Sequence, residues 1–499
     1  MTAAEFVAEL QQLGVRVWDE AGEQLHYRAP KGVMTPERLA ALREHKQALL
    51  EFLRAGPQVT VLAQPDARYE PFPLTEIQSA YLIGRRDVVA YGGVACHAYG
   101  ELAFAELDPA RLERAWQLLI ARHDMLRAVI HADGFQRVLP DVPAYHLRVD
   151  DVRGASADDV AEAVAITRHE LDHQVRAPGE WPLFELRATL ADERALLHVS
   201  IDFLIADYVS IFVLLDEMRQ LYDEPERALP PLEITFRDYL MAERALRSGP
   251  RYETDRAYWW GRIDDLPARP QLPAVSPASG NAAARFRRWQ ASFASPEWDA
   301  FRRTAAGEEI TPSVAVLAAY AETVARWSRH QRFTLNVTML QRLPLHRHVD
   351  ALVGDFTSVN LLAVDGDTPA SFRDRAHALQ VQLWEDIDHR LCSGVEVMRE
   401  IARRRGPEAA IMPVVFTSAI GLTKGGGGNT ARAGMGEIGH GISQTPQVWI
   451  DCQVMERDGA LAVNWDVRDG VFPDGLVDDM FGAFVDAVRR LSRDELAWT

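Results

Sequence analysis

Ala3, Phe6, Val7, Leu10 and Leu13 recur at the spacing of an amphipathic helix, and Gly14 is placed to end it. The period then changes to two. Val15 and Val17, then Leu25 and Tyr27, alternate with polar residues on either side of Asp19–Gln24, which predicts a hairpin. Thr35-Pro36-Glu37 combines a capping hydroxyl, a proline at the first helical position and an acid in the first turn. Leu39, Leu42, Leu49 and Leu53 continue that helix on one face. Helix, hairpin, helix makes a small unit over residues 1–56, whose core can be only modest. Residues 57–69 contain Pro57 and Pro65 and no helical period, so they predict a linker.

Beyond it the patterns mix. Thr75 caps a short helix that ends near Gly84, and Leu112 to Val129 has helical periodicity. Residues 183–202 hold two strand-like runs, and a helix is expected from Asp207 to Leu221. The polar stretch 247–256 separates two halves, 70–248 and 249–499. In the second half, Thr311-Pro312-Ser313 opens a helix reaching Trp327, Phe333–Thr338 predicts a strand, and Ser371–Glu385 a helix. Ile411–Ser418 reads as a strand and Thr423–Thr430 as a glycine-rich loop. Val448–Val454 and Ala460–Val467 predict a hairpin around Asp458-Gly459. The fold class is therefore α/β (α+β), with two mixed halves of similar size behind a small N-terminal unit.

Composition narrows the function. Hydrophobic residues make up 47% and charged residues 25% of 499, which excludes a mainly disordered chain. A net charge of −18 offers no broad basic surface for nucleic acid or anionic lipid. Cys96, Cys392 and Cys452 are too scattered for a disulfide framework or a CxxC metal site. The N-terminus lacks an apolar secretory core, and no stretch approaches the roughly 20 apolar residues that span a bilayer. The cytoplasm is the expected compartment.

Asp202-Phe-Leu-Ile-Ala-Asp207-Tyr-Val-Ser210 carries the sharpest chemistry. It lies where a strand gives way to an apolar helix, and acids there are costly unless paired or in use. Asp207 suits a helix cap, and Arg342 is a candidate partner because arginine pairs well with buried carboxylates. Along Gln447–Gln453, Asp451 shares a polar face with Gln447, Trp449 and Gln453. That face lines either solvent or a tunnel. Thr417 ends a strand at the glycine-rich loop, and Asn336 interrupts an apolar strand and needs partners if buried. Gly434-Met-Gly436-Glu-Ile-Gly439 matches GxGxxG, but no strand precedes it and no helix can follow it, so it is no dinucleotide site. His346, His348 and Asp350 lack a fourth ligand and read as a surface turn.

These motifs together resemble a known family. Pro71-Phe-Pro-Leu-Thr-Glu-Ile-Gln-Ser-Ala-Tyr-Leu-Ile-Gly-Arg85 is similar to the opening motif of heterocyclization domains of nonribosomal peptide synthetases, and Arg122-His-Asp-Met-Leu-Arg127 to their second. Asp202, Asp207 and Ser210 match DxxxxDxxS, which replaces the HHxxxDG of ordinary condensation domains. Gly354-Asp-Phe-Thr-Ser358 and Ser443-Gln-Thr-Pro-Gln447 with Asp451 also resemble family motifs. The matches run in order over about residues 70–490. The chain resembles in particular the thiazoline-forming entry module of epothilone-type assembly lines. Residues 1–55, with Ala29-Pro-Lys-Gly32 before Thr35-Pro36, resemble a TubC-type docking domain.

The resemblance implies a chloramphenicol-acetyltransferase-like pseudo-dimer whose two lobes form a V around a tunnel. It implies carrier domains that deliver thioesters on phosphopantetheine arms from both ends, with no cofactor or metal bound by the chain itself. The reaction implied is amide formation with a cysteinyl (or seryl or threonyl) acceptor, then cyclodehydration to a thiazoline or oxazoline. An amide-forming domain without cyclization and a silent carrier-recruiting scaffold are the alternatives. Asp451 and Thr417 are implied in cyclodehydration, with Asn336 lining the site. Asp207 with Arg342 is expected as scaffold, and Asp202 stays open between scaffold and site. The docking unit is expected to bind the C-terminal tail of the preceding synthetase, and an adenylation domain is the expected downstream neighbour.

Overall fold

The computed structural model describes residues 15–20, 24–28, 34, 39, 41–43, 45–46, 61–275, 284–368, 370–421 and 436–499. The helix expected over 3–13, the cap at Thr35-Pro36, the loop 423–430 and the first linker residues lie outside them. In the N-terminal unit, β1 (Arg16–Glu20) pairs antiparallel with β2 (Gln24–Arg28), with Val17 in register with Tyr27.

Two large sheets organise the rest. The N-terminal lobe is built on β4 (His97–Phe104), β7 (Arg148–Asp151), β8 (Phe184–Leu190) and β9 (Ala195–Asp202). A fifth strand, β14 (Glu437–Gln444), comes from the distant C-terminal half and completes the order β14-β4-β9-β8-β7. It pairs antiparallel with β4, Ser443 opposite Ala98. A small sheet of β3 (Phe72–Pro73), β5 (Ala128–His131) and β6 (Phe135–Val138) stands beside it in the order β3-β6-β5. The C-terminal lobe has six strands: β10 (Phe286–Phe293), β11 (Arg332–Leu340), β12 (Thr357–Asp365), β13 (Val414–Ser418), β15 (Ile450–Arg457) and β16 (Ala460–Arg468). Their order is β10-β16-β15-β13-β11-β12, with parallel pairings only where β13 meets β11 and β15.

Each sheet buries one apolar face. Trp116 of the helix Pro109–Arg122 packs edge-on against Phe184 of β8 in the first core. In the second, Tyr320 of the helix Pro312–Trp327 packs against Phe416 and Trp465. The first core is not confined to its own lobe: Leu343, Leu352 and Phe356 from the C-terminal half are buried in it. No described helix is long and apolar enough to cross a membrane.

Local signals placed most elements. Thr75 caps the helix Glu76–Gly84 in a reciprocal capping box with Gln78. One expectation is corrected. The helix expected from Leu112 to Val129 stops at Arg122, residues 124–127 form a single 3-10 turn, and Ala128 opens β5. Tertiary hydrogen bonds are the reason. Arg127 donates to the Ile120 and Leu139 carbonyls and to Asp124, and Asp124 also accepts from Arg68. A continued helix would leave these buried groups without partners.

Candidate active site

Alternation along β15 sends Ile450, Cys452 and Val454 into the second core and puts Asp451, Gln453 and Met455 on the opposite face. The N-terminal lobe stands against that face: Tyr208 OH lies 3.3 Å from Met455 Sδ. The turn Asp458-Gly459 has positive φ at both residues (53° and 76°), the conformation that closes a two-residue hairpin. It sets the register in which Asp451 opposes Asp466.

Hydrogen bonds then run from strand to strand. Thr417 Oγ1 on β13 donates to Asp451 Oδ1 at 3.0 Å and lies 2.9 Å from Thr338 Oγ1 on β11. Gln453 Nε2 donates to Asp451 Oδ2 and to Ser443 Oγ, both at 2.7 Å. Beyond Gln453, Asp466 of β16 is gripped by Arg288 of β10 at 2.7 and 2.6 Å. Burial pushes the Asp451 carboxyl up to about 6, and the nearby Asp466 charge adds to the rise. The bonds from Gln453 and Thr417 and the Arg288 charge pull the other way. A half-buried carboxyl at about 6 can give and take a proton near neutral pH. Asn336 sits on the same face, two residues before Thr338 and in register with Val415. Its Oδ1 is buried with no hydrogen-bond partner among the described residues.

The signature residues form two other clusters. Asp202 ends β9, accepts from the Leu204 amide at 3.0 Å and is ion-paired with Arg85 of the opening motif. Asp207 caps the helix Tyr208–Asp223, and its Oδ1 accepts from the Ser210 amide (2.7 Å), the Ser210 hydroxyl (2.6 Å) and Arg342 Nη2 (2.9 Å). Ser210 Oγ also lies 2.8 Å from the Gly354 carbonyl, and Arg342 reaches the carbonyls of Val349 and Leu352. This cluster therefore joins one lobe to the other. Next to it, Asp355 is fully buried, and burial with the Asp207 charge raises its carboxyl well above the usual range.

The structure thus brings Asp451 and Thr417 into contact, sets Asn336 beside them, and keeps Asp202, Asp207, Ser210 and Arg342 apart as two ion-paired groups. Sequence reasoning missed Asp466 and Arg288. A signal was available: the Asp458-Gly459 turn alone dictates that Asp451 faces Asp466. Arg85 was visible in its motif, but its partner lies 117 residues away.

The condensation domain family matches residues 94–491. The chain belongs to this family. The TubC N-terminal docking domain matches residues 4–55, ahead of the condensation domain. The crystal structure of the EpoB NRPS cyclization-docking bidomain from Sorangium cellulosum superposes with a TM-score of 0.87 at 35% identity, over 98% of each chain. Pyochelin synthetase PchF of Pseudomonas aeruginosa is 42% identical over the whole chain, which spans 27% of that protein. Phenyloxazoline synthase MbtB of Mycobacterium tuberculosis is 40% identical over 94% of the chain, which spans 33% of it. The two lobes are accordingly those of a condensation-domain pseudo-dimer.

One more cluster in this condensation domain has ligand-like composition. Glu233, His346 and His348 have their donor atoms within 4.8 Å of one another. His348 Nδ1 accepts from the Glu233 amide and His346 Nδ1 from the His348 amide, both at 3.1 Å. Each neutral ring therefore carries its proton on Nε2, and Glu233 is ion-paired with Arg347. These are the bonds of a surface turn that joins the lobes.

Proposed function

We propose that this chain condenses an acyl or peptidyl thioester on an upstream carrier with a cysteinyl, seryl or threonyl thioester on a downstream carrier, and then closes the thiazoline or oxazoline ring. Phosphopantetheine arms of the carriers bring both substrates. The docking unit takes the C-terminal tail of the preceding synthetase, with the β1–β2 hairpin offering an edge for an added strand. An adenylation domain is the proposed downstream neighbour and the cytoplasm the proposed compartment.

Amide formation asks little acid–base help. An α-amine has a pKa of about 7.7–8.0, so an appreciable neutral fraction exists near pH 7, and alignment of the two thioesters supplies the acceleration. Asp202 fits that view, since its carboxylate is occupied by Arg85. Ring closure asks more. The acceptor thiol or hydroxyl adds to the new amide carbonyl, whose oxygen becomes a hydroxyl. That hydroxyl leaves as water with one added proton, the ring nitrogen loses its proton, and a C=N bond forms. Asp451 gives the proton to the leaving hydroxyl and takes one from the nitrogen, while Thr417 holds its carboxyl in place.

The observation that carries this reading is the Asp451–Thr417 contact, on a carboxyl raised to about 6, on the sheet face turned toward the other lobe. Intact mass spectrometry of the downstream carrier tests it. The parent should yield an acyl-cysteinyl product one water short of the amide. With Asp451→Ala the full-mass amide should accumulate and ring closure fall by about 100- to 10,000-fold, the range of general acid–base catalysis. A variant that still closes rings at the parent rate refutes the role of Asp451. A parent that yields only the amide refutes cyclization, and one that yields no product supports a scaffold.

A further inference from the structure

We propose that Asp466, clamped by Arg288 and Ser443, is the positioning residue that governs how Asp451 holds and moves its proton, acting through the carboxamide of Gln453. The inference rests on the reading of Asp451 given above and goes beyond it by naming what controls that carboxyl.

Asp466 is almost completely buried, with 1% of its side chain exposed, yet it stays a hydrogen-bond hub. Arg288 donates to both oxygens. Oδ2 also accepts from the Ser443 amide at 2.9 Å, the Ser443 hydroxyl at 2.8 Å and Gln453 Nε2 at 3.2 Å. Arg288 thus makes a bidentate ion pair with this carboxylate, a short and strong kind of contact. Gln453 stands between two acids. Its amide nitrogen reaches Asp451 Oδ2 on one side and Ser443 Oγ with Asp466 Oδ2 on the other, while its oxygen lies 3.4 Å from Arg288 Nη2. Turned over, the amide would set its oxygen against two carboxylates and its nitrogen against a guanidinium. Arg288 and Asp466 therefore fix which end of Gln453 meets Asp451.

The clamp also spans the lobes. Ser443 lies on β14, which is hydrogen-bonded to β4 of the N-terminal lobe, while Asp466, Gln453 and Asp451 belong to the C-terminal sheet. Other titratable groups lie within electrostatic reach of Asp451: Tyr81 from the helix Glu76–Gly84 and, on the opposite, core-facing side of the sheet, Tyr320 from the helix Pro312–Trp327 and Cys452. Burial raises all three and keeps them neutral, so the charges acting on Asp451 are the anion of Asp466 and the cation of Arg288. They act in opposite senses. Asp466 disfavours a second negative charge and Arg288 favours it.

That opposition gives the test. An uncyclised acyl-cysteinyl amide is loaded on the downstream carrier, and the ratio of heterocycle to remaining amide is followed in single turnovers from pH 5 to pH 8.5. Asp466→Asn should move the inflection of ring closure to lower pH by at least half a unit. Arg288→Met should move it to higher pH, and Arg288→Lys should return it toward the parent. Should Arg288→Met fail to fold, Ser443→Ala supplies the same direction with a smaller shift, because it removes one donor that quiets Asp466. A strut with no influence on Asp451 would leave the inflection of every folded variant at the parent value, and that result overturns the inference. So would shifts of the same sign for Asp466→Asn and Arg288→Met. If Asp451→Asn itself closes rings at the parent rate, the reading of Asp451 fails first and this one falls with it.

Discussion

Asp451 titrates in the fold at about 6, against about 4 for a carboxyl in an unfolded chain. Between those values the folded state keeps a proton that the unfolded state has released. The contribution of this group to stability therefore falls as pH rises through that window. Asp451→Asn removes the slope, so its thermal midpoint should decline less than the parent's between pH 4 and pH 6, as scanning calorimetry would measure. Thr417→Val keeps the shape but deletes a donor that holds Asp451 down. A hydrogen bond to a charged group is worth about 1.5–3 kcal/mol. Ring closure should slow by roughly tenfold or more, with its inflection displaced to higher pH. Alternation from Gln447 to Gln453 already put Asp451 on a polar face. Its environment was only partly legible: the Asp458-Gly459 turn sets Asp466 opposite it, but burial and the grip of Arg288 on Asp466 are properties of the assembled sheet.

Elements carry the next set of consequences. The helix Tyr208–Asp223 begins where Asp207 caps it, and the same carboxylate accepts from Arg342 across the lobe boundary. Both partners are nearly inaccessible. Arg342→Met leaves an uncompensated buried charge, a change that costs about 3–5 kcal/mol. Denaturant unfolding should show a loss of that size, and both amide formation and ring closure should fall together. Gly354 is restricted for a different reason. Its carbonyl receives the Asp207 amide, and a Cβ there would run into the ring of Phe236. Gly354→Ala should cost about 1–3 kcal/mol by overpacking. Here the sequence was informative about caps and turns: Thr75, Asp207 and Asp458-Gly459 act as local signals, through bonds within four residues. It misled at Leu112–Val129, where apolar spacing continued but long-range bonds from Arg127 and Asp124 redirected the chain.

At the scale of the whole molecule, the docking unit and the condensation domain divide the work. In the proposed function, tethering an upstream partner through the hairpin would raise the effective concentration of its carrier without new contacts at the active site. Deleting residues 1–56 should slow acyl transfer at least tenfold when the matched upstream carrier is dilute. The loss should vanish when that carrier is supplied at saturating concentration, as carrier-loading mass spectrometry would show. The strand β14 has a comparable reach inside the chain. It leaves the C-terminal half, completes the N-terminal sheet, and places Ser443 against Asp466.

The sequence by itself determined the periodicities, the caps, the Asp-Gly turn and the ordered motifs, because each rests on residues close together in the chain or on a pattern repeated along it. From these the class of fold and the small N-terminal unit could be read, while the pair Asp451 and Thr417 came from the family resemblance that the motifs carry. Only the tertiary structure decided which charges meet. Asp202 with Arg85 and Asp466 with Arg288 join residues more than one hundred positions apart, and no local preference encodes such a distance, whereas Asp207 with Arg342 was the one such pair already expected from the motifs. Burial completes the distinction: a carboxyl acquires a shifted proton affinity only when sheets and lobes close around it and remove its water.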